Sequence, residues 1–347
     1  MRIRRADLFD SRDCAAIDSF VAERDDGQLF HRPQWSRAVE AGCGATAHYL
    51  VSETGSGLNG LLPLGEVRSP LFGNSMVSAA FGVGGGIVAE GPEVAQALAE
   101  AGWALARERG CPEIELRGGP VPEGPWALSE GVYANFAGDL PQGDEAILLS
   151  IKKRQRAEVR RAQGFGLSFR EGSDSAQLET HFRTYAASVR NLGSPVFPRR
   201  LFQAMAAEFG EDVSILTVFK GGEALSSVFS FYFKGAVMPY WGGGTDAART
   251  WRANEAVYYE LMCRASRRGC VRSDFGRSKL GTGPYAFKKN WGFEPRPLTY
   301  AVRTANGVAQ RQINPMSPKY RLRVAAWKKM PLPIANRLGP LIARGLG

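Results

Sequence analysis

Apolar residues recur at Val94, Leu98, Ala101 and Leu105, a spacing that puts them on one face of a helix. The pattern returns at Val257, Leu261 and Ala265, with Tyr258 and Met262 beside them. Three glycines precede each helix, Gly84 to Gly86 and Gly242 to Gly244, and Arg-Gly-Cys closes each, at Cys111 and Cys270. A short strand pattern follows in both places, EIELR and VRSDF. Upstream, HYLVSETGSGLNGLLPLGEV and VSILTVFKGGEALSSVFSFYF each read as strand, turn, strand, with Gly221-Gly222 at the second turn. MVSAAF and AVMPYW supply one more strand before each triple glycine. Two short helices, HRPQWSRAVEAG and FPRRLFQAMAAEFG, come earlier still.

One ordered set of elements therefore occurs twice, a match over about 160 residues that is the mark of an internal duplication. The pattern predicts an α/β (α+β) chain of two tandem units, each a mixed, mostly antiparallel sheet flanked by helices. We place the first over residues 1–149, the second over 150–307 and a basic amphipathic tail over 308–347. The order of elements resembles the GNAT acyltransferase fold. That resemblance implies a sheet splayed between its fourth and fifth strands, with the acyl donor entering there.

Composition narrows the class. No run of about 18 apolar residues exists, and MRIRRADLFD has no apolar core behind its charges, so neither a membrane span nor a secretory signal is expected. We expect a cytoplasmic protein. Five cysteines with no CxxC pair, and three scattered histidines, argue against a disulfide framework or a metal site. The net charge of +10 is localised: residues 295–347 hold ten lysines and arginines and no acid, so the rest of the chain is formally neutral. A second basic cluster, SIKKRQRAEVRRAQGFG, spans 150–166, with Ser150 placed to cap a helix. Basic segments favour phosphorylated substrates, RNA or an anionic membrane.

Glycines that end a strand before a helix expose backbone N–H groups suited to an anion. On this basis Gly242, Gly243 and Gly244, preceded by Trp241 and followed by Arg252 and Asn254, form the expected donor loop. Gly84 to Gly86 are followed by Glu90 and Glu93 instead, so the first unit is expected to have lost a donor site. Arg161-Ala-Gln-Gly164-Phe-Gly166 matches a donor-loop pattern by letters, but its place after a basic helix reads as a C-cap and turn. Arg156 and Arg160 share a helix face and are candidates for gripping phosphates of a substrate, against a solvated helix as the plainer reading.

HRPQWSRAV, LNGLLPLGEVRSPLFGN, KKRQRAEVRRA and SDFGRSKLGTGPYAFKKNWGFEP together resemble the Fem (FemAB) family of peptidoglycan-bridge aminoacyltransferases, over roughly residues 25 to 300. They are most similar to the FemAB-like branch associated with PEP-CTERM/exosortase exopolysaccharide systems. The resemblance implies an enzyme that moves an acyl or aminoacyl group, from aminoacyl-tRNA in the founding members, to an amine on a cell-wall precursor. It also places Phe287 and Lys288 at the reaction channel. No heptad-patterned helical arm of the kind some tRNA-using members carry is visible.

The chemistry fits those residues. Acyl transfer to an amine requires a positioned nucleophile and a stabilised oxyanion. Lys288 can hold an oxyanion or a phosphate, with Phe287 and Tyr285 lining the channel in a loop-like stretch that Gly281 and Gly283 allow to approach closely. Asp274 can take a proton from the amine or pair with Arg277 to hold the loop. Arg277 is a donor-binding candidate, and Trp35 and Tyr285 are substrate-binding candidates. We expect no tightly bound cofactor, no metal and no DNA. The donor is expected to be aminoacyl-tRNA or acyl-CoA, and the acceptor a small-molecule or lipid-linked glycan. Tail residues such as Trp327, Leu338 and Leu341, interleaved with cations, suit peripheral contact with an anionic membrane, with RNA as the rival. Two alternatives stand beside this reading: an acyl-CoA-dependent N-acetyltransferase acting on a sugar amine, and a non-catalytic scaffold or membrane-surface binding protein.

Overall fold

This computed structural model describes residues 1–311 and 318–347. The first copy runs β1 (Arg2–Arg5), α1 (Ser11–Glu23), α2 (Pro33–Cys43), β2 (Thr46–Thr54), β3 (Gly57–Ser69), β4 (Gly73–Ser78), the two-residue β5 (Val88–Ala89), α3 (Pro92–Glu108), β6 (Glu113–Arg117) and β7 (Ala127–Asp139). Helices α4 (Asp144–Ser150) and α5 (Lys153–Gln163) lead into the second. It runs β8 (Ser168–Gly172), α6 (Ser175–Leu192), α7 (Arg199–Phe209), β9 (Val213–Lys220), β10 (Glu223–Phe233), β11 (Ala236–Gly244), α8 (Ala253–Arg267), β12 (Arg272–Lys279), α9 (Gly283–Asn290) and β13 (Pro295–Thr304). Helices α10 (Pro318–Lys329) and α11 (Leu332–Ala343) follow. Residues 312–317 of the expected tail lie outside the described residues.

The repeated pattern folds as one mixed sheet of strand order β1-β2-β3-β4-β6-β13-β7-β12-β11-β10-β9-β8. The order mirrors itself about the β13–β7 pair. Each copy has one parallel junction, β4 with β6 and β11 with β12, and all other pairs are antiparallel. The final strands are exchanged: β7 runs beside β12 of the second copy, and β13 beside β6 of the first. Pairing therefore crosses the linear boundary near residue 149.

The copies also meet through α2 and α7. A Cβ on Gly42 would lie 2.5 Å from the Leu201 Cα, so the two helix backbones touch where only glycine leaves room. Under this crossing sits an aromatic core. Trp35, fully buried, packs on Phe30, Phe231, Tyr240 and Trp241, and its indole N–H donates to the Ala80 carbonyl at 3.0 Å. Burying each such ring stabilises the fold by about 1.5–3 kcal/mol.

Three local expectations are corrected. Gly242–Gly244 are not a loop but the end of β11, paired with Val228, Ser227 and Ser226. Side chains there would collide with Tyr258, Ser188 and Asn254, so the glycines let α8 and α6 lie close on the strand. Gly84–Gly86 lie instead in a buried irregular segment after β4, so the two triple glycines differ in conformation. The loop-like stretch after Leu280 is largely helical: the Thr282 hydroxyl caps the Tyr285 N–H, Pro284 suits the first turn, and Gly292, at φ +97°, follows the helix end. Ser150 does not cap α5; its hydroxyl donates to the Ile147 carbonyl at 2.7 Å. The residue ends α4, and α5 has no side-chain cap.

The basic tail is docked. The Trp327 indole donates to the Ser194 carbonyl at 3.0 Å, and Gly339 sits against Val196. Beyond α11, Gly345 packs on Ser69, and Gly347 is buried beside Val67 and Phe81. The Arg311 guanidinium donates to Ser75 Oγ at 3.0 Å and to the Gly345 carbonyl at 3.3 Å.

Candidate active site

In the second copy β11 and β12 pair only at Ala236–Arg272 and Val237–Ser273. They then diverge, and among the described residues no strand pairs with that edge of β11 beyond Val237. This is the splay expected of the second unit. The first copy has the same short parallel contact, Met76–Ile114 and Val77–Glu115.

A bulge in β12 builds the site. Asp274 opposes Ala137 and Arg277 opposes Asn135, so the register slips between them and Gly276 adopts φ +66°. Hydrogen bonds lock the bulge from two sides. Asp274 Oδ1 accepts from the Gly276 N–H at 2.8 Å and from Asn135 Nδ2 at 3.1 Å. Lys288 Nζ, reaching over from α9, donates to the carbonyls of Gly276 at 3.1 Å and Arg277 at 2.9 Å.

The electrostatics are unusual for a lysine. Burial pushes the Lys288 ammonium down to about 7, Arg277 adds to the fall, and Asp274 opposes it. Burial also pushes the Asp274 carboxyl up, against its two hydrogen bonds and the nearby Lys288. Burial thus works against the charged form of both groups, while their mutual attraction works for it. One of the three ammonium protons remains for a substrate.

Arg277 lies next to this pair. Its guanidinium stands 4.6 Å from the Tyr133 ring centre and 5.8 Å from that of Tyr300, and donates to the Tyr300 hydroxyl at 3.0 Å. It has no carboxylate partner among the described residues, so most of its donors remain free for an anion. The expected Asp274–Arg277 pair does not form: the carboxylate serves the bulge instead.

Aromatic rings wall the site. Tyr285 packs edge-on against Phe136 with centroids 5.1 Å apart, and Phe287 lies 5.3 Å from Tyr258, which stacks on Phe275. The expected site residues thus divide. Lys288, Asp274, Arg277, Phe287 and Tyr285 come together. Trp35 does not join them, because it is fully buried and offers no surface to a substrate. Trp241 is buried in the same core. Arg252 caps α8 at φ +51° and pairs with Glu158, while Asn254 accepts from Ser226 Oγ at 2.7 Å. Arg156 turns back onto the Ile151 carbonyl at 3.2 Å, and Arg160 is exposed on α5. Tyr133, Asn135, Phe136 and Tyr300 were not anticipated. They arrive on the exchanged strands, and no local sequence signal marks them.

Among the described residues no group of three or more histidine, cysteine or acidic side chains is placed to hold a metal, and the five cysteines are free thiols. No described helix is long and apolar enough to cross a membrane.

Comparison with known proteins agrees with this architecture. Residues 150–289 match the family model described as an acetyltransferase (GNAT) domain, which gives the second copy an acyltransferase domain. Solved structures share the fold over nearly the whole chain. FemX aligns over 86% of this chain and 97% of its own with a TM-score of 0.67 at 15% identity. L-PGS from Bacillus licheniformis aligns over 91% and 97%, with a TM-score of 0.54 at 12% identity. A tandem GNAT protein from the clavulanic acid biosynthesis pathway aligns over 89% and 99%, with a TM-score of 0.53 at 12% identity. No curated protein matches the chain in sequence. The fold is a tandem GNAT fold, and the protein is an acyltransferase.

Proposed function

We propose that the protein is a Fem-like N-acyltransferase that moves an activated acyl or aminoacyl group to an amine on a cell-envelope or exopolysaccharide precursor. The observation that carries this reading is Lys288, a near-neutral lysine fixed on the β12 bulge beside the splay. The donor lies along the open edge of β11, and its carbonyl oxygen faces the free Lys288 proton, where developing negative charge is stabilised. The amine forms the new C–N bond as the donor's ester or thioester bond breaks; Asp274 takes the proton the amine gives up, and the tRNA hydroxyl or CoA thiol leaves with a proton from solvent. Arg277 binds a phosphate or carboxylate of the donor or acceptor. Phe287 and Tyr285 exclude water from the reacting groups.

Aminoacyl-tRNA is the donor implied by the resemblance of the sequence to the Fem family, and the fold shared with FemX is in keeping with it. An acyl-CoA donor is favoured by the acetyltransferase description of the matched domain. We place the protein in the cytoplasm, at the inner membrane where a lipid-linked acceptor is available. A mass-spectrometric transfer assay offering aminoacyl-tRNA and acetyl-CoA against amine-bearing sugar nucleotides and lipid-linked glycans tests both donors. Lys288→Ala is expected to abolish transfer while Lys288→Arg, which keeps a cation, retains part of it. Full activity in Lys288→Ala ends the assignment.

A further inference from the structure

We infer that α11 together with the exposed side of α10 is a docking surface for an anionic phospholipid bilayer. The two faces of α11 divide sharply. Ala335, Gly339 and Ala343 are buried toward the protein. Ile334, Leu338 and Leu341 face outward at i, i+4 and i+7, with 49%, 40% and 64% of their surface exposed. A folded protein does not ordinarily line up three large aliphatic side chains in water without a partner. Arg337 and Arg344 follow the same helical spacing and border this strip, and both are exposed. On α10, Leu322 is 80% exposed, and Arg321, Lys328 and Lys329 are exposed too.

The charge selects the occupant. From residue 295 to 347 the chain has ten cations and no acid, and Arg321, Lys328, Lys329, Arg337 and Arg344 form no ion pair among the described residues. An apolar strip rimmed by cations matches an anionic headgroup layer above acyl chains. An RNA would engage the cations but leave the aliphatic strip in water. The docked contacts of Trp327, Gly339, Gly345 and Gly347 hold the helices against the body of the protein, so the strip is presented as a fixed face. Such a face would bring the enzyme to a lipid-carried acceptor, and in that respect the proposal rests on the reading above. Binding is measured without any transfer assay, so either can fail alone.

Removing the tail would also strip the cover from Val67, Phe81 and Ser69, so exposed-position substitutions are the cleaner perturbation. The full chain is sedimented with phosphatidylglycerol–phosphatidylcholine vesicles and with phosphatidylcholine vesicles alone. Wild type is expected to bind the anionic vesicles, less as salt is raised. Ile334→Ser/Leu338→Ser/Leu341→Ser is expected to lose roughly tenfold or more in partitioning at an unchanged melting temperature. Lys329→Glu/Arg337→Glu is expected to lose binding to anionic vesicles specifically. No sedimentation of wild type overturns the proposal. So does equal binding by the folded triple-serine variant, or binding of RNA in place of vesicles.

Discussion

Lys288 makes a quantitative prediction about stability that is independent of any substrate. In the unfolded chain its amine has the ordinary lysine value of 10.5, and in the fold it falls to about 7. That difference disfavours the charged amine in the fold by about 5 kcal/mol before screening. The sign follows from proton counting. Between pH 7 and 10.5 the unfolded chain holds a proton that the folded chain has released, so stability rises with pH. The cost of Lys288 is full below about pH 7 and fades as pH climbs toward 10.5. From pH 6 to pH 9 wild type should gain about 2.7 kcal/mol relative to a variant without the titrating group. The side chain is partly exposed, and water screening it reduces the expected gain to about 1–2 kcal/mol. Lys288→Met keeps the length and removes the charge. Urea unfolding of both proteins at pH 6, 7.5 and 9 gives the difference directly. A wild-type-minus-variant gap constant to within about 0.3 kcal/mol across that range would refute a depressed lysine.

Other substitutions probe different parts of the architecture. Arg277→Met should raise KM for the anionic substrate about tenfold or more with little change in melting temperature, and Arg277→Lys should not restore it because the planar fork is lost; a changed kcat with unaltered KM would contradict an anion-binding role. Gly42→Val should destabilise the fold by about 2–3 kcal/mol in urea unfolding, because the new side chain meets the Leu201 backbone; a shift under 0.5 kcal/mol would show that the α2–α7 contact yields easily.

The duplication was legible because it is written in hydrophobic periodicity and glycine placement, both local properties. Strands β2–β3 and β9–β10, the helices α3 and α8, and α2 and α7 all fall where the pattern puts them. The triple glycines misled because the letters do not say why a side chain is missing. In β11 it is absent so that α6 and α8 can approach the strand. The helix α9 was hidden by its composition. Its glycine and proline sit in the first turn, where they are tolerated, and its aromatics are packing residues that a loop would not need. Trp35 illustrates the limit for single residues. A tryptophan in a short helix reads equally as a ligand platform or as core, and only the packing of four other rings decides for core.

Strand exchange explains why the site belongs to neither copy alone. Element by element the copies correspond, but the link from β12 to β13 contains α9, while the corresponding link from β6 to β7 contains no described helix. The second copy thus has a position from which a lysine can reach back over the bulge, and the first does not. The parts that tune that lysine come from elsewhere. Asn135, which orients Asp274, and Tyr133, which faces Arg277, lie on β7, the last strand of the first copy. Tyr300, which accepts from Arg277, lies on β13, and its own hydroxyl donates to the Val83 carbonyl in the segment after β4. The first copy has no counterpart of Lys288 and instead supplies packing and hydrogen-bond partners to the second copy's candidate site. Its final strand and its post-β4 segment complete a site it does not itself possess. Because β7 and β13 are exchanged, the first copy forms one wall of its twin's candidate site.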